Sequence, residues 1–209
     1  MTSIAELTVA DDPESWRSAG FTVDEDGVCQ IGSVRLRIAP GADGGLGVLG
    51  WVLAGSPDEE VSDVDGLPTS VGEPSAAPAG AHPIGARVID HVVVTTPDLD
   101  RTVAVIERAL GLPLKRTRDG EAYGRPMRQA FFRIGEAILE VVGSPEPDPS
   151  GGPARFFGIA ITVDSLEAAR ARLGPDVVGE AKPAVQPGRS IATVHSTAGL
   201  SVPVALMSA

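Results

Sequence analysis

The chain has 209 residues, 43% hydrophobic and 22% charged, the composition of a globular protein with one large or two small domains. Its net charge of −11 argues against a nucleic-acid partner, whose phosphates demand a basic surface. No apolar run reaches the roughly 18 residues of a membrane span, the N-terminus lacks a basic flank, and the one cysteine, Cys29, cannot form an internal disulfide, so a cytoplasmic protein without a membrane partner is expected.

The charge is unevenly spread. Residues 1–87 hold 14 acids and 4 bases, whereas residues 88–209 hold 14 acids and 13 bases. In chain order, Ile4–Val9 reads as a strand, Pro13–Ser18 as a short helix, and Val28–Gly41 as strands that can be laid in phase on Ala130–Gly143. Leu46–Leu53 adds one more strand, and the glycine-rich Gly41–Gly47 reads as a hairpin turn, because the Lys and helix of a phosphate loop are missing. Residues 1–55 therefore read as a truncated β-α-β-β-β copy. Residues 56–87 read as an acidic linker, with Pro57, Pro68, Pro74, Pro78 and Pro83 and the run Asp58-Glu59-Glu60. Two states stay open for it: a disordered spacer, or a segment laid on a surface by Val61, Val64, Leu67 and Val71. His82, inside it, is expected to be solvated.

From residue 88 the pattern sharpens. Val88–Val94 is a β-branched strand, and Thr96-Pro97-Asp98 opens a helix whose face is Leu99, Val103, Ile106 and Leu110. Gly111 stops it. Leu114–Arg118 is a weak strand. Gln129–Ile134 and Ala137–Val142 are strands joined by the two-residue Gly135-Glu136 turn. The unit recurs: strand Phe156–Val163, a helix from Asp164 to Leu173 stopped by Gly174, then strands near Val177–Glu180, Ser190–Ser196 and Leu200–Met207. The domain 88–209 thus reads as two full β-α-β-β-β modules, 88–143 and 155–209, and the fold class as α+β.

The residues Ile89-Asp90-His91-Val92-Val93-Val94-Thr95-Thr96-Pro97-Asp98, followed by Ala109-Leu110-Gly111-Leu112-Pro113, resemble the opening of a vicinal oxygen chelate module. Ala137–Val142 resembles its closing strand, and Gly158–Ala169 a second opening. That superfamily holds glyoxalase I, bleomycin-resistance proteins and extradiol dioxygenases. The resemblance implies repeated βαβββ modules forming a U-shaped mixed sheet around a cavity. It also implies a divalent metal there (Zn, Ni, Mn or Fe) acting as a Lewis acid on a small oxygen-rich molecule. The implied activity is a metal-assisted lyase, isomerase or dioxygenase. The alternative is a metal-free protein that binds or sequesters a small molecule, as bleomycin-resistance relatives do.

His91 and Glu140 match the ligand positions of that family, and Glu140 is also a candidate general base. Which module faces 88–143 stays open. Against 155–209, Gly158 and either Pro203 or Val204 stand at the matching positions, and none can bind metal. Against the front copy, Glu6 aligns with His91 as a third metal ligand. Arg37 then aligns with Glu140, a cation where a ligand belongs.

Lys115, Arg116, Arg118, Arg125, Arg128 and Arg133 form a basic cluster. Two roles are open for it: docking the acidic front, or gripping the carboxylate or phosphate of an anionic ligand through Arg125 or Arg128. Gln129, Phe131, Tyr123 and, from the front copy, Arg37 are further ligand-binding candidates. His195 is expected to be an ordinary strand residue and Cys29 a small core residue. Exposed module edges leave room for a homodimer.

Overall fold

The structure, a computed structural model, describes every residue except 42–44, 57–59, 76, 123 and 150. The expectations for the loop at 41–47, the acidic run at 58–60 and Tyr123 lie partly or wholly outside the described residues.

Strand periodicity in the first 71 residues produces β1 (Ser3–Val9), β2 (Val28–Ile31), β3 (Val34–Ile38), β4 (Val48–Ala54), β5 (Asp63–Val64) and β6 (Leu67–Val71), with α1 (Pro13–Ser18) after β1. They form one six-stranded sheet in the order β2-β3-β1-β4-β6-β5. The β2–β3 hairpin turns at Gly32-Ser33 (Ile31 faces Val34), and β3 returns parallel to β1. The α1 helix opens under an Asp12 cap with Pro13 in its first turn, and buries Trp16.

The second sheet contains β7 (Ala86–Thr95), β8 (Leu114–Ala122), β9 (Arg125–Ile134), β10 (Ala137–Gly143), β11 (Arg155–Val163), β12 (Lys182–Pro183), β13 (Ser190–Thr193) and β14 (Val204–Ser208). Helix α2 (Leu99–Leu110) follows β7 and α3 (Leu166–Leu173) follows β11. The order is β12-β13-β14-β11-β7-β10-β9-β8. The two opening strands β7 and β11 lie antiparallel at the centre, and each closing strand, β10 or β14, runs parallel to its own opening strand. The fold is therefore α+β, with curled mixed sheets forming half-barrels.

Local differences from the sequence reading have physical causes. The α2 cap is Asp98, whose carboxylate accepts from the Arg101 amide at 3.0 Å, not Thr96. Thr96 instead stays at the strand end, its hydroxyl accepting from the Asp98 amide at 3.1 Å. Gly111 closes the helix in the left-handed conformation, φ 62°. Val177–Glu180 forms only an isolated bridge, Val178 to Val194.

The stretch 56–87 contributes the β5–β6 hairpin, with Val64 and Leu67 fully buried in the front sheet. Its turn is Asp65-Gly66, both at positive φ, the geometry a two-residue hairpin requires. His82 is buried rather than solvated. Its Nδ1 accepts from the Thr22 amide at 3.1 Å, Nε2 sits 2.9 Å from the Gln30 carbonyl, and its ring packs edge-on to Phe21.

The halves share one hydrophobic core. Asp65, at the tip of the β5–β6 hairpin, receives Arg101 of α2 through two bonds (2.9 and 3.1 Å) and the Thr102 hydroxyl as well. Asp11 accepts from the Ser201 amide at 2.6 Å, and Ser33 donates to Glu136 at 2.9 Å. The expectation that the basic cluster docks the acidic front is corrected: among the described residues its six members make no ion pair with residues 1–87, and α2 carries the docking cation. No helix of the described residues is long and apolar enough to cross a membrane.

Candidate functional site

The concave face of the eight-stranded sheet encloses a cavity of about 740 Å3. Its floor and one wall come from β7, β8, β9 and β10: His91, Lys115, Arg116, Gln129, Phe131, Arg133, Ile138 and Glu140. The opposite wall comes from the β12–β13 hairpin and β14: Pro183, Ala184, Val185, Gln186, Ile191 and Met207. Period-two alternation explains the selection. In β10, Ala137, Leu139 and Val141 are buried on the convex face, so Ile138 and Glu140 point into the cup. In β7, Ile89, Val92 and Val94 are buried, a spacing of three then two. A register irregularity beside Ala160 inserts Asp90 as an extra residue, so Asp90 and His91 both serve the concave side.

A polar chain crosses this floor. The Arg118 guanidinium donates to Gln129 Oε1 at 3.1 Å, and Gln129 Nε2 donates to Glu140 Oε1. Glu140 Oε2 stands 3.6 Å from His91 Nε2. His91 Nδ1 is 3.0 Å from Asp90 Oδ1. Asp90 Oδ2 receives Arg189 at 2.6 Å and the Thr162 hydroxyl at 2.9 Å. Arg189 is itself fixed by the Ser208 carbonyl, at 2.8 Å from Nε. Burial pushes the Asp90 carboxyl up, but hydrogen bonds from His91, Arg189 and Thr162 and the Arg189 charge outweigh it and hold it at about 2.

The structure brings together His91, Glu140, Gln129 and Phe131, and keeps the other candidates apart. Glu6 and Arg37 lie in the six-stranded sheet, joined to each other at 2.8 and 3.2 Å, with Arg35 Nε 2.7 Å from the same carboxylate. They do not line the cavity. Arg125 is exposed at the start of β9, and half-buried Arg128 pairs with Asp119 at 2.6 Å; neither lines the cavity. His195, exposed, meets the Asp176 carbonyl at 3.3 Å, away from the site. Cys29 is buried in the core, its thiol pushed up to about 12 by burial and by Asp24, which leaves it unreactive.

Sequence reasoning did not single out Asp90, Arg189 or Lys115 and Arg116 as individual site residues. The Asp-His pair was visible as a neighbour pair. Arg189 had no local signal, since it reaches Asp90 from the other module.

The donor set does not fit the divalent metal centre that the resemblance implies. Among the described lining residues, Glu140 and His91 are the only His, Cys, Asp or Glu side chains. In the second module, Gly158 stands where His91 does, and a Cβ there would collide with the Pro203 carbonyl. Glu140 sits beside Val93, and the equivalent pair in the second module is Ala160 beside Ala205, so the closing position is Ala205 rather than Pro203 or Val204. Among the described residues no group of three or more His, Cys, Asp or Glu is placed to hold a metal ion.

No curated protein matches this chain significantly. Among solved structures, a triple mutant of 4-hydroxymandelate synthase from Streptomyces coelicolor is 14% identical, with a TM-score of 0.67, and the match covers 99% of this chain and 92% of that one. This likeness is one of fold. Methylmalonyl-CoA epimerase from Mycobacterium tuberculosis is 19% identical over 59% of this chain and 89% of its own, with a TM-score of 0.47. Residues 88–189 match the model of the Glyoxalase/Bleomycin resistance protein/Dioxygenase superfamily. The matched segment, a little under half of the chain, holds His91, Glu140 and most of the cavity lining, and it is similar to that superfamily.

Proposed function

We propose that the protein binds a small organic anion in the cavity of its eight-stranded sheet, without a metal ion. The observation that carries this reading is the lining itself. Lys115, Arg116 and Arg133 stand around an otherwise largely apolar cup whose one acid is Glu140. Among the described residues, none of the three cations has a carboxylate partner. Among the described residues, Arg133 is engaged only by the Glu136 carbonyl, at 2.9 Å. Exposed cations without partners beside an apolar wall favour a ligand with an anionic end and an apolar body. The metal-assisted lyase, isomerase or dioxygenase reading needs a ligand set that these residues do not supply.

A second reading, an acid–base enzyme acting on a small oxygen-rich molecule, draws support from the Asp90–His91 pair beside Glu140. Its test is turnover lost in His91→Ala. In either reading the functional unit is 88–209, two modules (88–143 and 155–209), with 1–87 as its buttress. Homodimer formation is a matter for sedimentation.

The deciding experiment titrates protein dialysed against chelator with benzoate, by calorimetry. The reading expects saturable binding that weakens about tenfold in Lys115→Ala/Arg116→Ala, the loss of one or two charge-assisted hydrogen bonds. Binding indifferent to both substitutions would contradict it.

A further inference from the structure

The floor of the cavity is a polar chain with one break. From β8 to the β12–β13 hairpin it runs Arg118, Gln129, Glu140, then a gap, then His91, Asp90 and Arg189. An arginine stands at each end, and arginine only donates. That fact sets the direction of every bond between. Arg118 claims the Gln129 carbonyl oxygen, so the amide nitrogen must face Glu140, and Glu140 accepts. Arg189 and Thr162 claim Asp90 Oδ2, and the remaining oxygen, Oδ1, accepts from His91 Nδ1. A carboxylate cannot donate, so the neutral imidazole of His91 carries its proton on Nδ1. The lone pair of Nε2 is then turned toward the break.

Two acceptors therefore face each other across 3.6 Å, Glu140 Oε2 and His91 Nε2. At 3.6 Å no hydrogen bond joins them, and between a neutral imidazole and an ionised carboxylate there is no proton to make one. Both groups are largely shielded from water, with side chains 13% and 15% exposed, so leaving them unmatched is costly. Both border the cavity. We infer that the break is a recognition subsite for a ligand hydroxyl or N–H, which donates into the space between Glu140 and His91 while the ligand's anionic end meets Lys115, Arg116 and Arg133. The inference rests on the proposed anion-binding cavity and narrows its ligand class to anions that also carry a hydrogen-bond donor. Asp90 and Arg189 are positioning residues in this account. They act from the second module and touch His91, not the ligand.

The test has two arms. Long-range proton–nitrogen spectra of chelator-dialysed protein report which ring nitrogen of His91 carries hydrogen. The wild type is expected to show Nδ1–H. Asp90→Asn keeps the shape but reverses the bond: Arg189 claims the new carbonyl oxygen, the amide donates to Nδ1, and the proton moves to Nε2. Hydrogen on Nε2 in the wild type would overturn the polarity on which the inference stands.

The second arm compares 4-hydroxybenzoate with 4-methoxybenzoate, which differ in the donor. The wild type is expected to bind the hydroxy compound about tenfold more tightly, the worth of one hydrogen bond to an ionised acceptor. Asp90→Asn is expected to abolish that preference, because His91 then donates to Glu140 and closes the gap. Equal affinity of wild type for the two compounds overturns the inference while leaving the anion-binding cavity intact. Failure of both compounds to bind removes the anion-binding reading and this ligand class with it, and the nitrogen spectra still decide the polarity of the chain.

Discussion

The two sheets use the same scaffold for opposite ends. In the front, Glu6 of β1 sits beside Arg35 of β3, and Thr8 beside Arg37. In the back, His91 of β7 sits beside Ile138 of β10, and Val93 beside Glu140. Glu6 thus corresponds to His91, and Arg37 to Glu140. The front fills these positions with opposite charges that satisfy each other. The back fills them with two acceptors that do not, and a cavity opens above them. A concave sheet becomes a binding site where the polar groups on its floor are left for a ligand to complete.

The largest expected effect separates the halves. Asp65→Ala leaves Arg101 and Thr102 without their partner at the seam between the sheets. A loss of roughly 2–3 kcal/mol in urea unfolding is expected from removing one side of this half-buried ion pair and its hydroxyl partner. A change within 0.5 kcal/mol, roughly the scatter of surface substitutions, would show that the front rests on the back by apolar contact alone.

Acid sharpens the comparison next. Asp90 in the back is held at about 2 against an ordinary value of 3.8. A depressed carboxyl adds stability above its unfolded value and loses it as pH falls. The contribution, about 2 kcal/mol from that shift, is complete above roughly pH 5 and drains away toward pH 2. Asp90→Asn is expected to flatten this part of the acid unfolding curve. The same slope in wild type and variant would assign it to other carboxylates.

Exchanging acid for amide in each floor contrasts the two directly. Glu6→Gln strips the counter-charge from two half-exposed arginines and is expected to cost about 1 kcal/mol. Glu140→Gln is expected to hold or raise stability by up to about 1 kcal/mol, since the new amide donates to His91 Nε2 across the break while its oxygen keeps the Gln129 bond, yet to weaken ligand binding. The smallest effect belongs to His82, held below the ordinary histidine value by burial, against an opposing bond to the Gln30 carbonyl. A lowered histidine loses stability as pH falls, so a shallow decline is expected below about pH 6.5. His82→Gln should remove it in thermal melts.

Much of this was legible in the sequence. The opening strand, α2 with its Gly111 stop and the Gly135-Glu136 turn all carry local signals, and so does the echo of 28–41 in 130–143. That echo even placed Glu6 on His91 and Arg37 on Glu140, which the strand registers repeat. The β5–β6 hairpin was hidden by prolines, although Asp65-Gly66 between Val64 and Leu67 is a strong turn signal. The basic cluster was seen as a group. Strand alternation then divided it, sending Lys115, Arg116 and Arg133 to the cavity and Arg128 to Asp119. Arg189 was beyond reach, because the register that brings it to Asp90 belongs to two modules closing on each other.

The central claim is a metal-free anion site on the back sheet. The most direct test is calorimetric titration of chelator-dialysed protein with 4-hydroxybenzoate, before and after addition of zinc, nickel, manganese or ferrous ion. The account predicts saturable binding without metal and no tightening when any of the four is added. Binding that appears only with a metal ion, and disappears in both His91→Ala and Glu140→Ala, would contradict it.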